Sequence, residues 1–73
     1  MKPLQEQIDE LFTYHSPVND QPRRYELIRT KAREFAHVIC DNTPVGPDQS
    51  ASIRLLREAV MTANAAIALE GKI

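Results

Sequence analysis

The sequence predicts an all-α fold: a short N-terminal helix followed by a long antiparallel two-helix hairpin, assembled into a homo-oligomer. Tyr25, Ile28, Ala32, Phe35 and Ile39 are spaced three, four, three, four, and Ile53, Leu56, Val60, Ala63 and Ile67 repeat that spacing. This is the period of helices packed along a seam. Between the two series, Asn42-Thr-Pro-Val-Gly-Pro-Asp48 holds two prolines and a glycine, which cannot continue a helix. No segment shows a competing strand pattern.

The first helix is expected over residues 3–12. Pro3 suits a first turn, and Leu4, Ile8, Leu11 and Phe12 fall on roughly one side, which needs a neighbour to pack on. Ser16, Pro17, Asn19 and Asp20 break the chain. Asp20 is a candidate cap and Pro22 is tolerated in the first turn of a second helix over residues 20–41. Asp48 or Ser50 can cap the third, over residues 48–69, and Gly71 is a natural stop. The whole chain, 1–73, reads as one helical-hairpin domain, its two long helices about 30 Å each.

A domain of 73 residues buries only about 60% of the surface its unfolded chain exposes. Cys40 is the single cysteine, so no intrachain disulfide forms, and no Cys/His cluster has zinc spacing. Oligomerisation is the remaining stabiliser. Ala59, Ala63, Ala66 and Ala68 thin the third helix on several sides, so that another backbone can approach, and this surface reads as a contact between subunits. A net charge of -1 argues against a general DNA or RNA polymer as partner. Met1-Lys-Pro-Leu-Gln-Glu-Gln-Ile8 has no apolar stretch resembling a signal sequence, and no window approaches the roughly 18 apolar residues of a membrane span. The expectation is a cytosolic protein with no membrane partner.

Four groups of residues could carry chemistry. Tyr14 and His15 either pin the loop and cap the preceding helix, or present the tyrosine ring for stacking on a nucleobase. Arg23, Arg24, Arg29, Lys31 and Arg33 form the densest basic cluster, with Glu26 among them. They are either solvated, Glu26 pairing with Arg23 or Arg29, or Arg23, Arg24 or Arg29 forks onto phosphate oxygens. Asn64 is the one amide in an alanine run and, if buried, must pair across a subunit interface or read a ligand edge. His37 and Cys40, three apart on one helix, read as core packing, since two residues make no metal site. No hydrolase elbow, P-loop, paired-carboxylate cleft or dinucleotide fingerprint occurs, so neither an enzyme nor a cofactor or metal is expected. The combination favours capture of something anionic and planar.

Phe12-Thr-Tyr-His-Ser-Pro17, Asp20-Gln21, Arg24-Tyr25-Glu26, Ile28-Arg29, Thr43-Pro44, Gln49-Ser50, Leu56-Arg-Glu-Ala-Val-Met61 and Ala63-Asn-Ala-Ala-Ile-Ala68 follow one another in an order that resembles the phage anti-CBASS cyclic-nucleotide sponges. Their helical hairpin is shared with a Thoeris anti-defence protein, and the likeness covers roughly residues 10 to 69. The resemblance implies a homohexamer in the cytoplasm of the infected bacterial host that binds, without cleaving, cyclic oligonucleotide signals of bacterial immunity such as 3′,3′-cyclic GMP-AMP. It also implies pockets shared between subunits, with the Tyr14-His15 pair supplying the stacking tyrosine and a basic residue early in the second helix, Arg29 first and then Arg24 or Lys31, meeting phosphate. Asn64 matches the asparagine with which some members hold cyclic trinucleotides. At the basic position after it stands Leu69, and Thr62 replaces the tryptophan of that pattern.

A cyclic dinucleotide carries two phosphates and two stackable bases, so tyrosine and arginine from two subunits match it group for group. Sequestration requires nanomolar binding, roughly -12 kcal/mol, more than an open patch on one short chain would supply. Two rival readings use the same residues: capture of cyclic ADP-ribose signals, and a structural or adaptor oligomer that binds no nucleotide.

Overall fold

The computed structural model describes residues 3–71. Among them it is all-helical, with α1 (Leu4–Leu11), α2 (Gln21–Asn42) and α3 (Pro47–Ala68) in chain order and no strand. The two long helices pack on each other, whereas α1 makes no helix–helix contact with either. The result is extended, 44 × 28 × 18 Å, with a radius of gyration of 15.4 Å against about 11 Å for a compact domain of this length.

The caps differ from the expected ones. Asp20 does occupy the N-cap of α2, yet its carboxylate makes no cap hydrogen bond and lies 3.3 Å from Arg24 Nε. Gly46 is the N-cap of α3, with no side-chain cap. Pro47 opens that helix, where a missing N–H costs nothing, which moves Asp48 inside the first turn and Ser50 beyond it. Asp48 therefore acts there on the helix dipole. At the far end, Gly71 N–H reaches Ala66 O at 3.1 Å and Glu70 N–H reaches Ile67 O at 3.1 Å, the paired bonds of a Schellman turn. In this turn Glu70 (φ 48°) and then Gly71 (φ 73°) occupy the left-handed region.

A glutamine clamps each end of the hairpin. At the turn, Gln49 Nε2 donates to Thr43 O at 3.1 Å and Cys40 O at 3.3 Å, tying the first turn of α3 to the last carbonyls of α2. Asn42 and Thr43 satisfy two more of those carbonyls, donating to Val38 O and Ile39 O at 2.7 Å each. At the open end, Gln21 is 2% exposed and is the one buried polar residue among those described. Its Nε2 donates to Ile67 O at 3.0 Å and Glu70 Oε1 at 2.8 Å, while its Oε1 accepts from Val18 N–H at 3.0 Å. Loop, α2 and α3 thus meet on one amide.

The seam is half-buried, and the core is small. Ile67 and Leu69 are the buried apolar side chains among the described residues. Phe35 departs from the predicted seam and is 55% exposed, because two helices cover only one side of it. Cys40 and His37, expected in the core, are both exposed, since no third element packs on that side of α2. The apolar side of α1 stays uncovered, with Leu4 and Phe12 open to solvent.

Candidate functional site

The site begins with the loop joining α1 to α2. Three pieces of local chemistry shape it. His15 Nε2 donates to Glu10 O at 2.9 Å, capping a last-turn carbonyl of α1, so that half of the expected structural role holds. Thr13 Oγ1 donates to Asp9 O one turn earlier. At the loop's other end, Val18 N–H is held by buried Gln21. Tyr14 lies between these anchors, 81% exposed as a residue, with its hydroxyl held by no described residue. It does not pin the loop; the loop presents it.

This loop forms one wall of a shallow, open groove of about 600 Å³, within the range of about 300–1,000 Å³ usual for small-ligand sites. Tyr14, His15 and Pro17 face Pro22, Tyr25 and Arg29 of α2, and Asn64, Ala65 and Ala68 of α3 close the floor. Positions 22, 25 and 29 share one side of a helix by the three-four rule, which sets Arg29 beneath the loop. The alanines keep the floor low. Asn64 sits among them with Oδ1 buried and lacking a hydrogen-bond partner among the described residues. A buried acceptor left without a partner costs about 1–3 kcal/mol, so Asn64 Oδ1 is placed to take a donor that the described residues do not supply.

The basic residues divide between three surroundings. Arg29 lines the groove and its Nη2 donates to Glu26 Oε2. That bond, with the guanidinium charge, holds the Glu26 carboxyl below its ordinary range, and Thr30 Oγ1 adds a weak bond at 3.4 Å. Arg24 is committed elsewhere: Nη2 donates to Glu70 Oε1 at 2.6 Å and Nε faces Asp20. The Glu70 hydrogen bond raises its pKa further. Lys31 lies outside the groove, because two residues beyond Arg29 is about 200° around the helix. It borders a second, almost wholly apolar groove of about 510 Å³ made by Leu27, Phe35, Leu56, Val60 and neighbouring alanines, and pairs with Glu34 at 3.4 Å.

Tyr14, His15, Arg29 and Asn64 therefore come together, and Arg24 and Lys31 do not. Sequence reasoning did not single out Gln21 as part of the site's frame, or Pro22 and Tyr25 as walls. The signal for Gln21 was weak: an amide next to a helix-opening proline reads as solvated until its partners, 46 and 49 positions away, are known. Among the described residues no three His, Cys, Asp or Glu side chains converge as metal ligands.

The family model described as Acb2/Tad1, hairpin domain, matches residues 4–68. That span takes in all three helices and every lining residue of the Tyr14 groove. No curated protein and no solved structure matches the chain.

Proposed function

The chain belongs to the Acb2/Tad1 hairpin family, that of the anti-CBASS and anti-Thoeris sponges, and we propose that it sequesters cyclic dinucleotides such as 3′,3′-cyclic GMP-AMP without cleaving them, as a homo-oligomer. The observation that carries this reading is the single groove shared by Tyr14, Arg29 and Asn64. An exposed ring offers a stacking platform of about 1–3 kcal/mol per base, a guanidinium offers parallel bonds to phosphate, and an amide offers a donor and an acceptor for a base edge. His15 fixes the tyrosine's loop. Arg24, bound to Asp20 and Glu70, braces the frame.

Assembly belongs to the same proposal. The Tyr14 groove is open on one side, and a second subunit closing it would desolvate the phosphate contacts and strengthen them. The apolar groove beside Lys31, with Phe35 and Leu27 each more than half exposed, supplies surface for such contacts. The homohexamer that the family resemblance implies is part of this proposal. We assign Asn64 to the Tyr14 groove; a separate trinucleotide site would lack a cation from position 69, where Leu69 is buried.

Equilibrium binding of 3′,3′-cyclic GMP-AMP to the assembled protein, repeated with Tyr14→Ala and Arg29→Ala, tests the reading. Nanomolar binding lost in both variants is the expected result. No binding by the parent protein would remove it, and displacement of the dinucleotide by a cyclic ADP-ribose isomer at lower concentration would transfer the site to that ligand class.

A further inference from the structure

Arg24, Arg29 and Lys31 each face a carboxylate: Arg24 meets Glu70 and Asp20, Lys31 meets Glu34, and Arg29 meets Glu26. These pairs are not equally displaceable. Arg24 is 35% exposed and bridges two acids and the end of another helix, so that releasing it would unfasten the hairpin. Arg29 and Glu26 are 58% and 62% exposed, sit one turn apart on the same helix, and share one acid with one base.

We propose that Glu26 is a built-in competitor for the groove, holding the Arg29 guanidinium in the empty site and giving it up to the ligand's phosphate. This rests on the cyclic-dinucleotide reading of the Tyr14 groove. Arg29 is the one permanently cationic residue lining the groove, and its Nη2 is bonded to a carboxylate that does not line it. A phosphate taking the guanidinium edge that Glu26 holds must displace it, and one taking the other edge binds beside a like charge. An exposed pair is weak, which keeps the resistance to a few-fold. The consequence is a common cost: every ligand that takes Arg29 meets the same few-fold penalty, which a ligand stacking on Tyr14 at the same time offsets.

The alternative role for Glu26, orienting Arg29 so that the ligand binds better, has the opposite sign. Glu26→Gln decides between them, because it keeps the size and a hydrogen-bond acceptor and removes the charge. Calorimetric titration of 3′,3′-cyclic GMP-AMP at fixed ionic strength into the parent protein, Glu26→Gln, Arg29→Ala and the double variant should show Glu26→Gln binding about two- to five-fold more tightly. It should also show no such gain in the Arg29→Ala background. Unchanged or weaker binding by Glu26→Gln, with the parent still binding, would overturn the competitor and leave the site reading intact. A gain that persists without Arg29 would likewise overturn it. Absence of binding by both the parent and Glu26→Gln would overturn the site reading, and the competitor with it.

Discussion

Gln21 and Ile67 are joined, Nε2 to carbonyl at 3.0 Å, across the open end of the hairpin. The same amide holds Val18 N–H and the Glu70 carboxylate. One buried side chain thereby fixes where α2 starts, where α3 ends and how the loop carrying Tyr14 leaves the helices. Gln21→Ala should destabilise the fold by about 1–3 kcal/mol, because the three hydrogen bonds of a buried amide are lost, while Ile67 O keeps its bond from Glu70 N–H. Urea unfolding at one fixed protein concentration reads this out. A loss below about 0.5 kcal/mol would show that the clamp is replaceable by water.

Tyr14→Ala should leave stability unchanged, since the ring is exposed and its hydroxyl unengaged, while weakening dinucleotide binding by about 5- to 150-fold. Tyr14→Phe should retain most of the affinity, because stacking uses the ring face. Calorimetry on both variants separates this from a structural tyrosine, for which the melting temperature would fall instead.

Arg29→Ala should cost about 1.5–3 kcal/mol of ligand affinity, the worth of a hydrogen bond to a charged group, and should flatten the dependence of binding on salt. Arg24→Ala should behave differently. It releases Glu70 and Asp20 and should lower stability first, with affinity following through the loop. Equal and isolated affinity losses in the two variants would contradict the division drawn between them.

Phe35→Glu places a charge in the apolar groove, at a side chain already 55% exposed in the single chain. A monomer would tolerate it. If the groove is a subunit contact, light scattering should instead record a fall in assembled mass, accompanied by loss of tight dinucleotide binding.

The Glu26 carboxyl is held below its ordinary range by the Arg29 hydrogen bond and charge, with Thr30 and Arg33 adding to them. A depressed carboxyl stabilises the folded state above its unfolded value of 4.5 and loses that contribution as pH falls through the folded value. Carbon-detected NMR titration of Glu26 should show the depressed midpoint, returning toward the ordinary range in Arg29→Ala. An unchanged midpoint in that variant would assign the shift to another group.

Helix number and order were legible because the 25–39 and 53–67 apolar series share one period and a proline-glycine turn separates them. The loop was legible in part. His15 capping the preceding helix follows from its place four residues past Leu11, within reach of the last-turn carbonyls, but whether Tyr14 packs or projects depends on what lies across from it. The exposure of Phe35, His37 and Cys40 could not be read, because a three-four period predicts which side of a helix is apolar and not whether this chain covers it. The choice among Arg24, Arg29 and Lys31 turned on partners: Glu70 lies 46 positions from Arg24, a separation that local spacing does not address.

The most direct test of the central claim is to mix the purified protein with 3′,3′-cyclic GMP-AMP, quantify the free nucleotide by chromatography, then digest the protein and quantify what is released. Stoichiometric depletion followed by full recovery of intact nucleotide is the result expected of a sponge. No depletion, or depletion with an altered product, would contradict it.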